Sequence, residues 1–203
     1  MANPAKLDAL LRGIAGQAPE AKYIRAYHGS PYDFDRFEAS KIGSGEGRAS
    51  HGHGFYLTKA NDLAEYYRPK GGRVYEVEIP RRQDELLDWG TPVLQQPQQI
   101  QDAIRELLDR EAVYLKGGKA YDQIAKHYGD GLSDSRASDL LFERGIFGNT
   151  FLGARQADGM RARNYVMFPG TEDSIRILRK YGIMAPIAAS AASAGGQQQA
   201  EVQ

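Results

Sequence analysis

Three of the four histidines, His28, His51 and His53, fall within 26 positions, beside most of the clustered glycine. His28 closes an apolar, aromatic run and is followed by Gly29 and Ser30 in "AYHGSPYDFDRF". A strand-end histidine followed by glycine presents an imidazole and a bare stretch of main chain together, and glycine lets a ligand approach that main chain closely. The N–H and C=O of Gly29 can then pair with an amide. The plainer alternative is a histidine that caps a nearby carbonyl. The next segment, "GSGEGRASHGHGFYLT", holds five glycines in the twelve positions 43–54. Glycine-rich runs cradle phosphates when they lead into a helix N-terminus. This one leads into a strand, and its spacing fits neither a P-loop nor G-x-G-x-x-G, so it reads as a loop covering a site. His51-x-His53 on a strand would put both rings on one face, half of a metal site, but no third ligand accompanies the pair. Tyr56, Tyr66 and Tyr67 serve either as core or as stacking partners for a planar ligand ring.

These residues need elements to hold them. Residues 22–28 read as a strand, 29–42 as a loop with aromatic anchors, and "FYLT" as a second strand. "KANDLAEYYR" reads as a helix capped by Asn61 or Asp62. "RVYEVEIP" alternates Val74, Glu76 and Glu78 against Tyr75, Val77 and Ile79, a strand with one buried face. Helices are expected over 95–111, from the stripe Ile100, Ile104, Leu107 and Leu108, and in "AYDQIAKHYG" and "SRASDLLFERG", each ended by a glycine at C′. "IFGNTFL", "NYVMF" and "SIRILRKYG" read as further strands. The result is α+β: a mainly antiparallel sheet from the two ends of the chain with a helical insertion between. Residues 1–20 carry an amphipathic helix (Leu7, Leu10, Leu11, Ile14), 21–184 form the domain, and 185–203 are a low-complexity tail.

Taken in order, these pieces resemble the ADP-ribosyltransferase superfamily, in its His-Tyr-Glu branch of diphtheria-type toxins and poly(ADP-ribose) polymerases. The motifs are His28-Gly29-Ser30, Gly54-Phe55-Tyr56 with Tyr67 eleven positions later, and Arg163-Asn164-Tyr165-Val166-Met167-Phe168. A narrower resemblance, over residues 24 to 180, is to the ADP-ribosyltransferase-like domains of phage and mobile-element polyvalent proteins. It runs through "AYHGSPYDFDRF", "IGSGEG…HGHGFYL", "YEVEIP…ELLDW", "ASDLLFERGIFGNTFL" and "RNYVMF".

The resemblance implies a split, mixed sheet with flanking helices, NAD as the cofactor, and mono-ADP-ribosyl transfer to a host macromolecule, in the first instance a protein. His28 would bond the nicotinamide-side ribose, and the Gly29 main chain would pair with the carboxamide. Tyr56 and Tyr67 would sandwich the ring, Ser30 would assist at ribose or phosphate, and residues 43–54, with Gly54, would close over the dinucleotide. The family's catalytic glutamate falls on Asn164. Asparagine can bond a ribose hydroxyl but carries no charge and cannot act as a base. Three options follow: transfer with reduced demands, transfer through another carboxylate (Glu46, Asp158, Glu172 or Asp173), or a fold that only binds NAD or a partner. NAD hydrolysis needs the same pocket.

Composition excludes other classes. The 203 residues carry 26 basic and 26 acidic side chains, formal net charge zero, and no cysteine. Zero balance argues against a broad nucleic-acid or anionic-membrane footprint. The clusters Arg161-Ala162-Arg163 and Arg176 to Lys180 are expected to be solvated faces. Without thiols there is no disulfide, thiolate catalysis or thiolate-bound metal. No apolar run approaches the length of a membrane span, and the N-terminus lacks a signal-peptide pattern. The expected setting is the host cytoplasm or a virion, with the tail available for virion or self-assembly contacts.

Overall fold

The six β-branched and aromatic runs become strands and, with a two-residue strand not expected from sequence, form one seven-stranded sheet among the described residues. The computed structural model describes residues 23–44, 49–61, 64, 72–80, 83–132, 134–155 and 161–182. The expected helix over 2–15, most of "KANDLAEYYR" with Tyr66 and Tyr67, and the tail lie outside these residues. The strands are β1 (Ile24–Ser30), β2 (Phe55–Thr58), β3 (Arg73–Ile79), β4 (Leu87–Asp88), β5 (Gly148–Arg155), β6 (Arg161–Met167) and β7 (Arg176–Gly182). Their order across the sheet is β4-β5-β6-β2-β1-β3-β7. Every pairing is antiparallel except β4 with β5, so the sheet is mixed. Three α-helices are described along their whole length, all in the insertion between β4 and β5: α1 (Gln98–Leu107), α2 (Gly117–Tyr128) and α3 (Arg136–Phe142).

Each face of the sheet carries its own core. The helices bury Ile100, Ile104, Leu107, Tyr121, Ile124 and Leu141 against the β4–β5–β6 end. On the opposite face, Phe37 and the partly buried Phe34 and Ile42 pack on Ala26, Phe55, Leu57, Tyr75 and Tyr165. The loop after β1 is thus anchored by aromatics as expected, with Phe34 stacked on Tyr75 at 4.1 Å.

Three local expectations are corrected. The helix expected over 95–111 is confined to Gln98–Leu107, because Pro97 precedes its first turn and Leu108 leaves helical geometry. Gly145 adopts the left-handed C′ conformation (φ 76°), but Gly129 is extended at φ −148°. On β3 the outward face is not solvated: Val74 and Glu76 are buried with Tyr75, Val77 and Ile79. The cause is that β7 pairs outside β3 and that Glu76 finds partners. Its carboxylate accepts from the Tyr181 hydroxyl at 2.8 Å and lies 3.5 Å from Arg25 and 3.8 Å from Arg179.

Candidate functional site

The joint between β1 and β2 is the least regular in the sheet. The two strands share one ladder pair, Tyr27 against Thr58, whereas β1 and β3 pair along their whole length. At the next position a side chain replaces the ladder: His28 Nδ1 sits 2.9 Å from the Tyr56 carbonyl. Nδ1–H therefore donates and Nε2 is left as an acceptor. The imidazole packs edge-on to Phe37 at 5.3 Å and Phe34 at 6.1 Å. Burial pushes its pKa below the usual 6.5, and the Tyr56 carbonyl opposes this only in part. His28 is thus a neutral wedge at the point where the sheet splits.

Strand register decides which residues meet. Phe151, Asn164, Thr58, Tyr27 and Glu76 are successive cross-strand partners on β5, β6, β2, β1 and β3. Residues two apart share a face, so Asn149, Tyr56 and Gly29 lie on the same face as this row. Of the residues singled out from sequence, the structure brings together Gly29, Tyr56 and Asn164. His28 and Ser30 alternate to the other face. The Ser30 hydroxyl accepts from the Tyr32 N–H at 3.1 Å, a local turn bond. Gly54 is needed for packing: a Cβ there would lie 2.3 Å from the Met167 carbonyl. Tyr67 lies outside the described residues.

The described part of the glycine-rich segment is a clamped turn, not the free lid that composition suggests. The Tyr56 hydroxyl donates to the Gly52 carbonyl at 2.8 Å and accepts from the His51 N–H at 3.0 Å. The Asn149 amide donates to the His51 carbonyl at 2.8 Å. The Tyr121 hydroxyl accepts from the His53 N–H at 3.1 Å. Ser138 donates to the His53 carbonyl at 2.7 Å, so Tyr121 must donate to Ser138, also at 2.7 Å. Burial pushes the Tyr56 phenol up to about 12, with the His51 N–H opposing and Tyr121 adding a smaller rise. Tyr56 is a neutral strut.

His51 and His53 therefore sit in a turn, with Gly52 at φ 99°, rather than along a strand. The His51 ring stacks flat on Phe151, 3.6 Å between centroids and 5° between planes, with Trp89 at 5.1 Å. Among the described residues no group of three or more His, Cys, Asp or Glu can hold a metal. Asn164 Oδ1 and Asn149 Oδ1 are both buried without a hydrogen-bond partner among the described residues.

Of the alternative carboxylates, the two among the described residues do not reach Asn164. Glu172 and Asp173 lie in the turn Glu172–Ser174, past the end of β6, and Met167 alone is about 10 Å along the strand from Asn164. Glu76 is three strand spacings away, about 14 Å, and already paired. Glu46 and Asp158 lie outside the described residues. Within the basic clusters, Arg163 pairs with Asp88 at 3.0 Å, Arg176 with Glu78, and Lys180 with Asp33 at 3.0 Å and Asp35 at 2.6 Å.

Asn149, Phe151, Tyr121 and Ser138 were not singled out as site residues, and only the tertiary fold brings them to the turn. The adjacency of His51 to a glycine-histidine-glycine run was the available sign of its place.

Comparison with protein-family models, curated proteins and solved structures finds no match. Among the described residues no helix is long and apolar enough to cross a membrane.

Proposed function

We propose that this protein is an NAD-dependent mono-ADP-ribosyltransferase that modifies a host macromolecule, a protein in the first instance. The observation that carries the reading is Asn164 Oδ1, buried and unpartnered on the face that also presents Gly29 and Tyr56, beside the split between β1 and β2. A buried polar atom without a partner is costly unless something binds it. An amide oxygen there suits a ribose hydroxyl, and the Gly29 main chain, unobstructed by a Cβ, suits a carboxamide. The residues present thus fit NAD. It would supply the transferable ADP-ribosyl group, while the chain binds, orients and excludes water. Asn164 itself is uncharged and the neighbouring Arg163 is paired with Asp88, so recognition rests on main chain, hydroxyls and rings. The motif resemblance runs through the same residues.

The test is incubation of the pure protein with labelled NAD and host lysate, beside His28→Ala. The expected result is label on a host protein, thermal protection by NAD, and loss of labelling in the variant, because the wedge that sets Tyr56 is gone. A wild-type protein that neither binds nor consumes NAD overturns the reading. A binding module, in a virion or on a host partner, is the second reading. One observation favours it: Asn164 carries no charge, and no described carboxylate reaches it. Free ADP-ribose without labelled protein identifies hydrolysis instead.

A further inference from the structure

Five hydrogen bonds from four side chains, on β2, α2, α3 and β5, fix the main chain of residues 51–53. None of the five involves the His51 imidazole. The ring is therefore placed by its backbone and by flat contact with Phe151, and its own nitrogens stay available. Nδ1 lies 3.1 Å from Ser50 Oγ, and Nε2 has no partner among the described residues. Phe151 is in turn the cross-strand partner of Asn164, whose Oδ1 is also unpartnered. A partly exposed imidazole and an unmet amide oxygen thus neighbour one phenyl ring. Locked supports around side chains with unmet polar atoms are how a site for a polar substrate is held ready. The two groups differ chemically: Asn164 can bond a hydroxyl but cannot take a proton, and His51 can.

We infer that His51 is the general base of the acceptor step, its Nε2 taking the proton from the acceptor nucleophile in place of the absent carboxylate. This rests on the NAD-dependent reading above. In the step, a lone pair of the acceptor forms the new bond to ribose C1′. The electron pair of the glycosidic bond leaves on the pyridinium nitrogen, releasing neutral nicotinamide. The acceptor's proton moves to Nε2 in the tautomer whose Nδ1–H donates to Ser50 Oγ, and the imidazolium later returns its proton to solvent. No group is oxidised or reduced. The acceptor class follows: a nucleophile with a proton to lose, such as a protein hydroxyl, and not a carboxylate, which needs no base. Half-burial, with no ion pair at the ring, holds His51 below the usual histidine pKa and so unprotonated at neutral pH.

The experiment compares wild type with His51→Gln and His51→Ala, using labelled NAD and host lysate, and thermal protection by NAD alongside. Glutamine keeps the backbone bonds and a polar head but takes no proton. His51→Gln is expected to be protected by NAD as wild type is, and to lose transfer by about 10²–10⁴-fold. Transfer by His51→Ala is expected to recover in part when imidazole is added, which a packing role would not produce and which is read even if the glutamine variant misfolds. Transfer by His51→Gln at the wild-type rate, or no imidazole recovery in a folded His51→Ala, overturns the assignment while leaving the NAD reading intact. Absence of NAD binding and turnover in wild type overturns both.

Discussion

Gly52→Ala tests whether the turn beside Asn149 is clamped or merely folded over. Gly52 has φ 99°, and a Cβ there would lie 2.7 Å from Tyr121 Cζ, 2.8 Å from its hydroxyl and 2.9 Å from Asn149 Nδ2. Those atoms are side-chain ends, but not free ones. Tyr121 is fully buried and bonded to Ser138, and Asn149 is buried and bonded to His51. The left-handed conformation costs an alanine about 1–2 kcal/mol, and the crowding adds about 1–3 kcal/mol. Lost freedom of the unfolded chain returns about 0.4–1 kcal/mol. Gly43→Ala is the control, since Gly43 also has positive φ, 79°, but nothing within 4 Å of its Cβ position. The conformational and unfolded-state contributions largely cancel between the two variants, leaving the steric contact, about 1–3 kcal/mol. The assay is urea unfolding of both variants with unchanged slope, so that the midpoints report stability. The expected order is wild type at least as stable as Gly43→Ala, and Gly52→Ala clearly below both. Equal midpoints for the two variants would refute the clamp and with it the fixed placing of His51.

Tyr121→Phe removes the acceptor of the buried His53 N–H and is expected to cost about 1–3 kcal/mol, with faster amide exchange at His53 and Gly52. Asn164→Leu replaces an unpartnered buried oxygen by an apolar group of similar shape, so the melting temperature is expected to hold or rise while NAD turnover falls by about 10²-fold. A melting point several degrees lower would show that the oxygen has a partner. Acid lowers stability through His28: its native pKa lies below 6.5, so the unfolded chain takes up the proton first as pH falls. Stability is complete above about pH 6.5 and is lost from there down through the native pKa. His28→Gln is expected to narrow the gap between urea midpoints measured at about pH 7.5 and about pH 5.5, and an unchanged gap would assign the acid sensitivity elsewhere.

Strand identity was legible because the signal is local. β-branched and aromatic runs marked all the long strands, and the stripe through Ile100, Ile104 and Leu107 marked α1. The two-residue β4 was not legible as a strand, since its pairing with β5 is parallel and depends on partners sixty positions away. Glu76 reads as solvent-facing from alternation, and only the strand beyond it and the Tyr181 hydroxyl bury it. The site divided in the same way. His28, Gly29, Tyr56 and Asn164 stood out by motif, and register then sorted them into faces, with His28 on one and the others on the other. The clamping of residues 51–53 was not legible, because glycine content reports what the backbone is free to do, not what neighbouring side chains forbid. Tyr121 and Ser138 come from the insertion, and no spacing rule connects them to His53.

The single ladder pair between β1 and β2 divides the sheet into two leaves, β4-β5-β6-β2 and β1-β3-β7. Neither leaf is a continuous stretch of sequence, for the chain passes from one to the other after β1, after β2, after β3 and after β6. The leaves are stitched together covalently four times across their weakest hydrogen-bonded line. No single cut separates one leaf from the other, because every cut leaves strands of both leaves together on at least one fragment, so limited proteolysis should give no stably folded half. Unfolding should remain one cooperative step despite the sparse joint, because neither half can melt while the other keeps its strands in register. Most pairings also span long stretches of chain, which places the protein among the slower folders of its size.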